Sequence, residues 1–423
     1  MAFGKKACPL TEGDGIRELH RDRTSRSAFL VCLVKRQKRG TAAVNRLALF
    51  WLIVVLLLVS GCSYHSDLKN LQLIYATSLD TNENNEIVTT VTIQSPGGKE
   101  RTVPIHEVLT ATGPTLQESL YKKIGLQIAG PIGTSKNQVM LICDKLAKSD
   151  ILNLLDATFR NSNDPMLAKV AIVHGEAADL IRLNRIGSAT SGEYLRKIIK
   201  SAQYETVIPF VTVHSIYPLL HDRGKDGVIP ILRRENGRDS ETDKDKAVIE
   251  GVGLLSKSKY TGYTLTPEQS SLFLLMNGKK GEICIMTRRI EEAKGKNDLS
   301  QYISLNIIKS SSNKKVSVSS SGHVQVQLQL KLKGIIIEHA KYNRIDKKLI
   351  EQLNKRFSEM LTQEAEVICK QLQKAHSDAL GIGRDLIAFH PKEWKELDWD
   401  QTYPEVDFKV SVSMDIVSHG IIN

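Results

Sequence analysis

The chain has 423 residues and a formal net charge of +11, a basicity that on its own would point toward nucleic acid. Residues 1–61 hold 11 Lys and Arg against 4 Asp and Glu, which leaves 47 against 43 for everything that follows. The rest of the chain is close to neutral, so a nucleic-acid partner loses its main support. Three cysteines lie in that body beyond Cys62, namely Cys143, Cys284 and Cys369. Their odd number and wide spacing argue against a disulfide framework and against a zinc site. They read as ordinary thiols, with at most one bridge among them.

Residues 1–33 carry no apolar periodicity, and they are expected to be an artefact of start-codon assignment or disordered chain, with translation starting at or near Val34. Arg36, Lys38, Arg39 and Arg46 then form a basic stretch ahead of a continuous apolar run of 13 residues, Leu47 to Val59. A helix crossing hydrocarbon needs roughly 20 residues. A positive segment followed by so short an apolar core reads as a secretory signal rather than a span. It ends in Val59-Ser60-Gly61-Cys62, which resembles a bacterial lipobox, where the cysteine sulfur takes a diacylglyceryl group and becomes the mature N-terminus. Residues 34–61 are therefore expected to be a lipoprotein signal peptide, and Cys62 the lipid attachment residue. A plain membrane anchor is the alternative. One acyl chain holds a protein to a bilayer only marginally, whereas two or three on one cysteine hold it stably.

About 360 residues after the signal exceed a single core, so two or three domains are expected. The first block, residues 62–204, alternates strands and helices. Leu71–Leu79 and Ile87–Ile93 look like strands, and Thr115-Leu116-Gln117-Glu118 is a capping box opening a helix through Ile124. Gln138–Cys143 and Leu167–His174 read as strands, Ser149–Phe159 and Ser191–Ala202 as helices. The second block, residues 205–289, has an apolar stretch at Phe210–Leu220 and strands at Val228–Leu232, Ala247–Leu255 and Gly262–Leu265. Its polar run 236–246 is a loop and Pro267–Met276 a short helix. Residues 290–300 make a linker into the third block, residues 300–423. There Val324, Val326, Leu328, Leu330 and Leu332 alternate with Gln and Lys, and Val406 to Ile416 alternates equally strictly. That period of two means strands with one buried and one wet face. Tyr302–Ile308 and Val316–Val318 add shorter strands. Between the alternating runs, Asp346 to Ser377 places Leu349, Leu353, Phe357, Leu361, Ile368, Leu372 and Ala375 on one helical stripe. The whole reads as an α+β fold of three mixed domains, the last an antiparallel sheet with a long helix packed on one face.

Motifs that would carry catalysis do not emerge. Gly130-Pro131-Ile132-Gly133-Thr134-Ser135-Lys136 lacks the spacing of a phosphate loop, and Pro131 removes one donor such a cradle uses. Gly381-Ile382-Gly383 has neither the third glycine nor the preceding strand of a dinucleotide fingerprint and reads as a helix stop. Gly187 to Gly192 is no nucleophile elbow. The histidines are scattered, with His339 at a strand end. Trp394 and Trp399 are expected to pack against the last sheet. No catalytic, cofactor-binding or metal-binding residue is therefore expected.

Taken in order, the blocks resemble the Ger(x)C family, the lipoprotein C subunits of spore germinant receptors. The residues that carry the likeness are Asp67 to Leu71 leading to Asp80, Gly113-Pro114-Thr115 with Glu118, Cys143-Asp144-Lys145-Leu146-Ala147 with Leu155-Asp156 and Arg160, Tyr260 to Leu265, and finally Ser377-Asp378, Gly381, Gly383, Pro391, Trp394, Trp399 and Gly420. The family's Trp-Asp after the cysteine is replaced by Ser63 and Tyr64, and its aromatic positions near the glycines are Leu380 and Ile382. The resemblance implies a non-catalytic subunit beside two membrane-embedded partners, A and B, on the outer face of the spore's inner membrane. A solute-binding lipoprotein feeding a transporter is the runner-up.

Overall fold

The computed structural model describes residues 50–52, 71–95, 105–161, 164–183, 190–237, 245–290, 301–339 and 346–418. Residues 1–33, Cys62 and the linker 291–300 lie outside the described residues, and with them the expectations that fall there. Among the described residues no helix is long and apolar enough to cross a membrane. Residues 67–423 form a compact unit of their own.

Nine strands make the larger sheet: β1 (Gln72–Thr81), β2 (Ile87–Ser95), β3 (Ile105–Gly113), β4 (Ile132–Gly133), β5 (Val139–Cys143), β6 (Lys169–His174), β7 (Val228–Glu235), β8 (Lys246–Ser256) and β9 (Lys259–Leu265). Their order is β3-β2-β1-β5-β6-β7-β8-β9, with β4 beside β1. The centre, β1-β5-β6-β7, is parallel, and antiparallel pairs close both flanks. Strands buried on both faces read as continuous apolar runs, as Val139–Cys143 does. Alternate residues serve opposite cores. Val139, Leu141 and Cys143 face one core with α3 (Ala177–Ile181), α4 (Ser191–Tyr204) and α6 (Pro267–Met276). Met140 and Ile142 face the other with α2 (Ile151–Arg160) and α5 (Val213–Leu220), while α1 (Asp144–Ala147) caps β5. The strands expected of the second block extend the sheet begun by the first, so the boundary drawn at residues 204 and 205 falls between strands of one sheet.

The smaller sheet runs β10 (Ile285–Arg289), β11 (Tyr302–Val318), β12 (Val324–His339), β13 (Asp407–Ser418) in that order. Two of its pairings are antiparallel as expected, but β12 and β13 are parallel. The correction has a simple cause. A 28-residue helix, α7 (Lys347–Lys374), follows β12 and carries the chain back roughly 42 Å, so β13 re-enters from the same end. Alternation fixes which face a strand buries and says nothing about direction. The two short strands expected at Tyr302–Ile308 and Val316–Val318 are one strand, because polar Lys309 to Lys315 pairs residue by residue with β12. Helix α7 buries Leu353, Phe357, Leu361, Ala365, Ile368, Cys369 and Leu372 on the expected stripe.

A second stripe of α7 protects the sheet's edge. Val412, Met414 and Ile416 donate their outward backbone N–H groups to Thr362 Oγ1 (3.0 Å), Ser358 Oγ (2.9 Å) and Asn354 Oδ1 (2.8 Å). Residues four apart on a helix lie on one face, so three acceptors meet alternate donors of a strand that would otherwise present an unpaired edge. The helix side of the smaller sheet and one face of the larger sheet share a single core. Among the described residues, both cores are built between Ile74 and Ile416.

The expected capping box is half present. Thr115 Oγ1 accepts the Glu118 N–H at 3.2 Å, but Glu118 pairs with Lys122 instead of reaching back, and the helix at Gln117–Ile124 is wound as a π-helix. Cys143, Cys284 and Cys369 are free and buried.

Candidate functional site

Ser377, Asp378, Gly381, Gly383 and Trp399 of the C-terminal signature converge at the junction of the two sheets. The loop 222–227 between α5 and β7 meets the segment 377–384 that leads into α8 (Ile382–Phe389). Asp226 accepts from the backbone N–H of Lys257 (2.6 Å) and of Asp378 (2.7 Å). Its own N–H donates to the Asp378 carbonyl at 3.0 Å. The Asp378 carboxylate accepts from Ile382 N (2.8 Å) and Gly383 N (2.7 Å), which holds the first turn of α8. Arg384 closes the ring, its N–H donating to Gly224 O at 2.8 Å and its guanidinium to Asp222. Lys314 of β11 donates to the Leu380 and Gly381 carbonyls and pairs with Asp385 at 3.1 Å.

Two glycines make this approach possible. A Cβ on Gly383 would lie 2.8 Å from Gly224 Cα, and one on Gly224 would lie 2.6 Å from Arg384 N. Gly381 sits at φ +72°, where a side chain is strained. It opens α8 rather than stopping a helix, which corrects the sequence reading; α7 has already ended at Lys374. Trp399 of α10 (Trp399–Thr402), which follows α9 (Pro391–Glu396), packs on Gly383, and the Trp394 ring lies tilted against it with centroids 5.6 Å apart, both beside the core under the sheet as expected. Burial pushes the Asp378 carboxyl up to about 7 and raises Asp226, against the backbone donations that favour the charged forms. Both carboxylates are consumed by backbone donors. The cluster is a clasp, and sequence reasoning missed half of it, since nothing in Asp222 to Gly227 points to a partner 150 residues on.

An open parallel sheet binds ligands at the carboxyl ends of its strands, where the connections diverge. Here that place lies between β1 and β5, and a cleft of 470 Å³ is lined there by Asp80, Asp144, Glu176 and Arg182 among others. Asp80 ends inside it. Its oxygens accept from Ala177 N (2.7 Å) and Ala178 N (3.0 Å) at the start of α3. Those donors are the ones a phosphate would use in a nucleotide-binding fold, so the chain's own carboxylate takes the anion's place. Gly130 to Lys136 is a turn into β4, and Gly192 lets α4 approach the Tyr75 carbonyl. Among the described residues no three His, Cys, Asp or Glu side chains gather as metal ligands.

The fold and its clasp thus define a two-sheet α+β protein whose buried polar groups hold the body together. Residues 64–234 match the model of the spore germination protein N-terminal domain, and residues 250–420 that of the spore germination B3/GerAC-like C-terminal domain. The chain belongs to the Ger(x)C family of spore germination proteins. It is 21% identical to spore germination protein GerQC of Bacillus cereus over 89% of this chain and 99% of that one. It is 22% identical to spore germination protein B3 of Bacillus subtilis over 87% and 96%. The crystal structure of the GerBC protein superposes with a TM-score of 0.53 at 16% identity, covering 81% of this chain and 96% of that one, a likeness of fold.

Proposed function

We propose that this chain is the C subunit of a nutrient germinant receptor, anchored through acylated Cys62 on the outer face of the spore's inner membrane and acting without catalysis beside membrane-embedded A and B subunits. The single observation that carries the reading is the clasp with its shared core. Two sheets locked by Asp226, Asp378 and the Gly224–Gly383 contact form one body with surfaces to present. They do not form two lobes that close on a solute, which is what the transporter reading would need. The plugged crevice at Asp80 supports the same conclusion. The division into blocks 62–204, 205–289 and 300–423 serves this reading as a description of the sequence.

Acylation at Cys62 would confine the body to the surface that holds its partners, raising their effective concentration. The test is to purify the full-length chain from detergent-solubilised spore membranes and to compare spores carrying Cys62→Ala. The two multispanning subunits should co-purify, and the variant should leave the membrane fraction and respond weakly to nutrient. Normal nutrient germination in spores lacking the chain altogether would overturn the receptor reading. A variant that remains membrane-bound and fully active would overturn the anchor alone.

A further inference from the structure

Six cations gather at one end of the larger sheet. Lys136, Lys169, Arg196, Lys200, Lys279 and Lys280 line two adjoining clefts, of 730 Å³ and 490 Å³, that share Lys169 and Arg196. Among the described residues none of the six has a carboxylate within ion-pair distance, although Glu282 lines the larger cleft. What they touch is neutral: Lys169 donates to Gln203, Arg196 to Gln138, and Lys280 to the carbonyls of Gly281 and Glu282. Burial, with the nearby charges of Arg196 and Lys200 added to it, lowers Lys169 to about 8.

Large apolar side chains stand among these charges. Leu167 is 77% exposed, Phe210 64% and Tyr204 51%. Lys169 Nζ lies 3.5 Å from the centre of the Phe210 ring. Exposed aromatics interleaved with lysines suit the boundary between lipid headgroups and acyl chains, where rings enter the interface and cations meet phosphate.

The patch has a fixed place in the fold. Lys169 opens β6 and Gln138 precedes β5, with Gln138 N donating to Tyr75 O and Lys169 N to Gln138 O. This is the amino-terminal edge of the parallel strands. β1 runs the same way and begins at Gln72, four residues before Ala76 pairs with Val139. The chain therefore enters the body about 13 Å beyond that edge. Only eight residues lie between Cys62 and Leu71, so the nine steps reach at most about 30 Å.

We propose that this basic and aromatic face at the amino-terminal edge of the larger sheet docks on an anionic phospholipid surface. The direction in which it faces the membrane rests on acylation of Cys62, and the binding does not. Each cation near an anionic surface contributes about a fivefold gain in partitioning, about 1 kcal/mol.

The test uses the acyl-free body, residues 63–423, sedimented with vesicles of phosphatidylcholine alone and with an equimolar mixture of phosphatidylcholine and phosphatidylglycerol. The body should sediment with the mixed vesicles, release as salt rises, and ignore the neutral ones. Replacing Lys169, Lys200 and Lys280 by Gln should lower partitioning about a hundredfold. Phe210→Ser alone should weaken it with no change in salt dependence. A thermal melt verifies that each variant is folded. Equal binding to both vesicles, no binding to either, or a triple variant that binds like the parent overturns the proposal. Cys62 is absent from this protein, so a failure of acylation leaves the result untouched.

Discussion

Removing the Asp226 carboxylate should unfasten the clasp. In Asp226→Ala the N–H groups of Lys257 and Asp378 lose acceptors at 2.6 and 2.7 Å. Lys257 is exposed and its N–H can turn to water, whereas an orphaned buried donor such as the Asp378 N–H costs about 1–3 kcal/mol. Against a typical stability of about 5–15 kcal/mol, that is a large fraction. Asp226→Asn keeps one acceptor oxygen and turns an amide nitrogen toward the other donor, so its loss should fall between parent and alanine. The chain has three tryptophans, Trp51, Trp394 and Trp399, and a protein of residues 63–423 keeps only the two at the junction. Their fluorescence therefore reports the clasp, while far-ultraviolet dichroism reports both sheets. Under urea the fluorescence transition should move to lower denaturant by the larger amount. If the smaller sheet separates first, that transition should also precede the dichroism change. Midpoints of both signals unchanged in Asp226→Ala would refute the reasoning, because the two bonds would then carry no net stability.

Three further outcomes are expected. Gly383→Ala drives a methyl to 2.8 Å from Gly224 Cα and should cost about 1–3 kcal/mol by overpacking, read as a lower urea midpoint; full stability would mean that the two loops are free to part. Ser358→Ala with Thr362→Val orphans the Met414 and Val412 N–H groups, which should destabilise by about 2–6 kcal/mol and raise light scattering as the β13 edge becomes available for pairing; an unchanged midpoint would show that solvent replaces these acceptors. Lys169 has a folded-state value of about 8 against an ordinary 10.5, so between those limits the unfolded chain binds more protons and stability should rise with pH. Lys169→Met should flatten that rise, and an identical pH profile in the variant would contradict it.

The sequence by itself determined the elements whose burial is periodic. Strict alternation in Val324 to Leu332 and the stripe of α7 are properties of neighbouring residues, readable because strands repeat every two positions and helices every 3.6. The short helix at Pro267 to Met276 was expected as well, although it is buried on all sides from Ser270 onward and carries no stripe. Asp378, Gly381 and Gly383 were legible as a motif, though as a helix stop rather than the opening of α8. What only the tertiary structure decided are relations between distant segments. The direction of β13 depends on how a crossover packs, not on which face the strand buries. Lys309 to Lys315 joins β11 because β12 offers it partners, despite having no apolar signal. Asp226 meets Asp378 across 152 positions of chain. Six cations, from Lys136 to Lys280, form one surface only because the parallel strands bring their amino-terminal ends to a common edge, where like charges scattered in sequence crowd together in space.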